Sequence, residues 1–72
     1  MILNPDKIRA RRKEIGITQE ELSKKSGLGV GTISDIENGI VTNIKEWALF
    51  SLAKTLLFDP EDLLKEEGEA HE

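Results

Sequence analysis

Three residues, Gly27-Leu28-Gly29, are all that separates two short helical patterns, and this spacing restricts the fold more than any other feature of the chain. The stretch before it opens at Thr18, which can cap a helix, with Glu21 three residues on to close a capping box and Ile17 placed to staple against Leu22. The stretch after it carries Val30, Ile33 and Ile36 at helical spacing and stops near Asn38-Gly39. Two helices joined this tightly cross at a steep angle, so the turn needs a glycine and the crossing point a small side chain. Counted from Gln19 as the first residue of a 20-residue unit, Ser23 is fifth, Gly27 ninth, Leu28 tenth, Ile33 fifteenth and Ile36 eighteenth. A small residue thus falls at the crossing, glycine in the turn, and branched apolar residues on the inward face of the second helix. The joint pattern predicts a helix-turn-helix over about residues 19–38.

Further helix signals flank this unit. Asn4-Pro5 reads as an N-cap followed by proline at the first helical position, with Ile8 and Ile15 on one face and Gly16 as the stop. Asn43-x-x-Glu46 predicts a capping box before Trp47, Ala48, Leu49, Phe50, Leu52, Ala53, Leu56 and Leu57. That segment is apolar around much of its circumference, as a central, buried helix would be. Asp59-Pro60-Glu61-Asp62 is a capped start with acids in the first turn, and Leu63 and Leu64 supply its apolar side. Five short helices with no strand and no repeat predict an all-α fold: a compact five-helix bundle. One domain is expected over residues 1–66, followed by an acidic, disordered tail at 67–72.

Composition removes most catalytic readings. The chain has 72 residues and no cysteine, which excludes a disulfide framework, a zinc knuckle and a thiol nucleophile. His71, the one histidine, stands beside the last residue, so neither a histidine metal site nor a triad is expected. The carboxylates of Asp59 and Asp62 are explained by helix capping. No catalytic residue, metal or cofactor is expected, and the protein is not read as an enzyme. No apolar stretch reaches membrane-spanning length, and Met1 to Leu3 is no signal peptide, so a cytoplasmic protein without a membrane partner is expected. The net charge of −4 hides an asymmetry: residues 1–36 hold seven basic groups against five acids, and residues 37–72 hold three against nine. For phosphate binding the local patch matters more than the total.

The residues Ile8-Arg9, Arg12, Gly16-Ile17-Thr18-Gln19-Glu20-Glu21-Leu22-Ser23, Gly27-Leu28 and Thr32 through Gly39 carry a resemblance that continues in Leu52-Ala53-Lys54 and Asp59 through Leu64. On these residues the chain resembles the Cro and lambda-repressor-like helix-turn-helix domains, the xenobiotic-response-element (XRE) family, over about residues 5–64. The resemblance implies a five-helix domain whose third helix enters the major groove of double-stranded DNA, usually from a two-fold homodimer. It implies a phosphate contact at Gln19 and the start of its helix. Val30, Gly31, Thr32 and Asp35 take the groove-facing positions, with Ser34 as a further hydroxyl donor. Asn38 and, beyond the following loop, Lys45 meet backbone phosphates. Arg12 and Glu37 match a pair that forms an inward salt bridge in relatives.

What these side chains offer differs from the usual Ser, Arg, Gln or Lys. Val30 can pack on a thymine methyl, Gly31 can admit close backbone approach, and Asp35 can accept from a cytosine amino group but otherwise repels phosphate. The phosphate clamp rests on Lys45 and backbone amides, with Lys24, Lys25 and Arg9 in support. Leu57 stands where glycine is usual after the fourth helix. Trp47 is expected in the core or in a dimer seam. The expected function is a bacterial or phage transcriptional regulator, a repressor acting as a homodimer. Two alternatives share the fold: an antitoxin-like or partner-dependent regulator that binds a protein such as a toxin, and a protein-interaction module with weak DNA binding.

Overall fold

The computed structural model describes residues 1–66, so the tail expected at 67–72 and His71 lie outside the described residues. Helix α1, Pro5–Ile15, begins where the Asn4 side chain accepts from the Lys7 amide at 3.2 Å and Pro5 fills a position whose N–H has no helical partner. Helix α2, Gln19–Ser26, opens with both halves of the capping box: the Glu21 amide donates to the Thr18 hydroxyl at 3.1 Å, and the Thr18 amide to the Glu21 carboxylate at 2.9 Å. That amide, with help from the hydroxyl, holds the Glu21 carboxyl below the usual carboxylate range. Helix α3 is Val30–Glu37 and α4 is Glu46–Thr55.

The fourth and fifth segments depart from the sequence expectation. The predicted fifth helix is a single 3-10 turn, Pro60–Leu63. Its capping box forms between Asp59 and Asp62, but Leu64 is extended and pairs with Leu3 in an isolated antiparallel bridge. The Asn4 amide donates to Leu63 O at 2.8 Å and the Lys65 amide to Ile2 O at 2.8 Å, so the chain pairs with the N-terminal arm instead of coiling on. The same arm delays α4. Thr42 O accepts from the Leu3 amide at 2.9 Å, which draws the loop out, and α4 starts at Glu46 with Lys45 as an N-cap that makes no side-chain cap bond. The box predicted from Asn43 does not form.

Packing follows the apolar spacing of α1 to α3. Helix α2 contacts α3 and α4, α4 contacts the 3-10 turn, and α1 contacts α3. Leu3, Ile8, Leu22, Ile33, Ile36, Leu52, Leu56 and Leu63 are buried together at the centre. At ~1.5–3 kcal/mol for each large side chain, this cluster is the main force opposing chain entropy. Helix α4 is not buried all round: Ala48, Leu52 and Ala53 face the core, while Trp47 and Phe50 are half in water. Trp47 is therefore no core residue.

Candidate nucleic-acid interface

The turn that joins α2 to α3 is held by two serines. The Ser23 hydroxyl, at the helix crossing, donates to Leu28 O, and the Leu28 amide donates to the Ser26 hydroxyl at 3.3 Å. Gly27 takes the left-handed conformation at φ 79°, which glycine adopts without the clash a Cβ brings. Leu28 itself is buried. One short turn thereby fixes the angle at which α3 leaves α2.

A second lock holds α3 from α1. Glu37, buried at the end of α3, accepts from Arg12 Nε at 2.7 Å and Arg12 Nη2 at 3.0 Å, a two-pronged pair. Gln19 Nε2 adds a third bond to the same carboxylate at 3.1 Å, and Arg12 Nη1 reaches Ile17 O at 2.9 Å. Burial alone would raise the Glu37 carboxyl. The bonds from Arg12 and Gln19 and the charges of Arg12 and Arg9 outweigh it and hold the group below the usual range. The hydrogen bonds it donates to Glu37 raise the Arg12 guanidinium in turn. Among the described residues no buried side-chain nitrogen or oxygen lacks a partner.

Arg9, expected in support of the phosphate clamp, also bonds within this lock. Its Nη1 donates to Glu37 O at 2.8 Å, closing the end of α3, and its Nη2 meets Asp6 at 2.6 Å. Its place three residues before Arg12, on the same face of α1, is the signal in the sequence for this second role. Gln19 is likewise half-committed: one amide N–H is held by Glu37, which leaves the other as the group a phosphate would meet.

With Ile33, Ile36 and Glu37 turned inward, the outer side of α3 presents Val30, Gly31 and, one turn on, Ser34 and Asn38. Val30, Gly31 and Asn38 are exposed; Thr32, Ser34 and Asp35 are half-buried. Asn38 Nδ2 donates to the Ser34 hydroxyl at 3.3 Å, so these two polar groups are already aligned with each other. A Cβ built on Gly31 meets nothing, hence the gap there faces outside the molecule. Asp35 O accepts from the Ile40 and Val41 amides at 2.8 and 3.1 Å, which ties the following loop to α3. The start of α3 has no side-chain cap and no acid in its first turn, so its free amides keep their partial positive charge. Lys45, exposed at the uncapped start of α4, adds a full one. Lys24 and Lys25 are exposed on α2.

The helix-turn-helix family model HTH_3 matches residues 8–63. Solved structures of similar shape include the P22 c2 repressor protein in complex with a synthetic operator. It is 36% identical, covers 85% of this chain and 91% of that one, and superposes with a TM-score of 0.79. The biofilm master regulator SinR, from Bacillus subtilis, is 30% identical in its complex with DNA, covering 85% of this chain and all of that one with a TM-score of 0.80. SinR in a complex with SinI is also 30% identical, covering 92% of this chain and 64% of that one with a TM-score of 0.80. The restriction-modification controller protein C.AhdI from Aeromonas hydrophila is 28% identical, covering 83% and 89% with a TM-score of 0.76. No curated protein sequence matches the chain. Among the described residues no helix is long and apolar enough to cross a membrane.

Proposed function

The chain belongs to the HTH_3 helix-turn-helix family, and we propose that it is a sequence-specific transcriptional regulator that binds double-stranded DNA with α3 in the major groove. The observation that carries this reading is the seating of α3. Two polar locks fix it against α1 and α2 while Val30, Gly31, Ser34 and Asn38 stay on the outside. The DNA complexes of the P22 c2 repressor and SinR, similar in fold, support it.

In this mode residues 1–66 act as one DNA-binding unit. Val30 packs on a thymine methyl, Thr32 and Ser34 offer hydroxyls, and Asp35 accepts from a cytosine amino group. Asn38, Lys45, the remaining Gln19 N–H and the free amides at the start of α3 take backbone phosphates. A homodimer sets two copies of α3 ~34–36 Å apart in successive grooves. Repression follows from occupying promoter DNA in the cytoplasm, with no chemistry and no cofactor.

The outer face of α3 favours a second reading, a regulator that needs a protein partner. It holds no Lys or Arg, and most cations of α1 are tied up within the molecule. SinR, a relative, is also solved in a complex with the SinI protein. Selection of duplexes from a random pool, followed by affinity measurements at low and moderate salt, separates the readings. A regulator acting alone prefers its selected site over random DNA by ~10³ or more and weakens steeply with salt. Thr32→Ala lowers that preference and leaves the fold intact. A protein-interaction module shows neither discrimination nor a salt slope, and that outcome rejects the DNA-binding proposal.

A further inference from the structure

We propose that the outward stripe of α4, Trp47, Phe50 and Lys54 with Leu57 beyond it, is the seam against a second copy of this chain, the two α4 helices packing antiparallel about a two-fold axis near Phe50. The proposal rests on the homodimer reading above and names its surface.

Trp47, Phe50 and Leu57 are 58%, 51% and 74% exposed. Trp47, Phe50 and Lys54 follow steps of three and four residues, which places them on one face of α4, and Leu57 stands two residues past the last helical residue. Large apolar groups aligned in this way mark a contact surface, whereas scattered ones do not. Leu57 adds a second cost to its exposure. It sits at φ 58°, the left-handed conformation that ends α4, with its amide donating to Lys54 O at 3.1 Å and the Phe58 amide to Ala53 O at 2.8 Å. Glycine adopts that conformation freely and leucine does not. A strained leucine held in water gains nothing inside the molecule, so its return lies in a contact outside it.

Charge identifies the occupant. Glu46 lies four residues before Phe50 and Lys54 four residues after it. Both are exposed, and neither makes an ion pair among the described residues. A two-fold axis at Phe50 therefore sets Glu46 of each copy against Lys54 of the other, twice. This is the self-complementarity that a two-fold contact requires and a different protein does not. Antiparallel packing also opposes the two helix dipoles. Phe50 further forms one wall of a shallow apolar groove with Leu3, Ile44, Leu49 and Leu64, onto which the contact extends. Because α4 packs on α2 and the 3-10 turn, the seam uses none of the α3 residues assigned to DNA. A stripe this short gives an interface at the low end of the size range, hence a weak dimer in free solution.

Sedimentation equilibrium of the full chain without DNA, from ~10 μM to ~1 mM, tests it, the range being set by the weak affinity expected of so small an interface. The wild type passes from monomer to dimer. Glu46→Lys and Lys54→Glu each set like charges together and weaken self-association at least ~10-fold. Mixing the two single variants restores a dimer, because every facing pair is then opposite in sign. Leu57→Gly weakens association while raising the melting temperature, which separates loss of contact from misfolding. A wild type that stays monomeric, or a dimer indifferent to both charge reversals, overturns the seam. Monomers that still bind a selected duplex leave the DNA reading standing without it. A dimer sensitive to the charge reversals that binds no duplex keeps the seam and rejects the DNA reading.

Discussion

The α1–α2–α3 side of the molecule is tied together by polar groups that satisfy one another, whereas the outer side of α4 leaves large apolar groups in water. On the first side Arg12, Glu37, Gln19, Arg9, Ser23 and Ser26 all bond inward, and Val30 is the one large apolar side chain of α1 to α3 that is exposed. On the second side Trp47, Phe50 and Leu57 face outward, and the bonds of Ser51 and Thr55 reach no farther than Ser26 O and Ser51 O. The contrast teaches that rigidity and adhesion are divided between surfaces. A surface that reads shape must hold its geometry without sticking to everything, while a surface that joins copies needs apolar area. One helix cannot easily serve both.

The sharpest way to break this contrast is to cut the lock. Arg12→Ala leaves a buried carboxylate without its two-pronged partner and is expected to cost about 3–5 kcal/mol in urea denaturation. Trp47→Ala, on the exposed side, should change monomer stability by no more than ~0.5 kcal/mol. Equal losses in the two variants would erase the distinction.

Acid probes the same lock more gently. The Glu37 carboxyl is held below its ordinary value of 4.5, so the unfolded chain binds its proton first. Its stabilisation is complete above about that pH and is lost as pH falls through the lowered folded value. Melting temperature measured down the acid range should therefore drop, and Glu37→Gln should flatten that part of the curve at the cost of lower stability near neutrality. On the α4 side Leu57→Gly should raise monomer stability by about 1 kcal/mol, since it relieves the left-handed strain. The smallest effect is expected on the outer face of α3. Asp35→Lys should raise affinity for random and selected duplexes alike by a few-fold, with a salt slope steeper by about 1. A drop on the selected site alone would assign Asp35 a specific base.

What could be read from the sequence was local. The caps at Asn4, Thr18 and Asp59, the stops at Gly16 and Gly27, and the inward Ile33 and Ile36 all depend on neighbours within a turn or two. The misread features depend on partners far along the chain. Nothing near Asn43 reveals that Leu3 will hold Thr42, nor does anything near Leu64 reveal a bridge to Leu3. Periodicity also fails where nearly every position is apolar: α4 looked buried all round because its pattern cannot tell the side facing Leu22 from the side facing water. Around the candidate interface, the outer positions of α3 follow from where its apolar residues point. The partners of Arg9 do not, because its spacing from Arg12 gives the face of α1 it shares but not the groups it reaches.

The N-terminal arm has a mechanical meaning for that interface. Leu3 hangs the loop by Thr42 on one side and joins the 3-10 turn through Leu64 on the other. Lys45 stands three residues past the suspended carbonyl. In the DNA-binding mode proposed above, this tie anchors the stretch of loop that leads to the Lys45 ammonium group, so the first residues of the chain help to set where that charge stands.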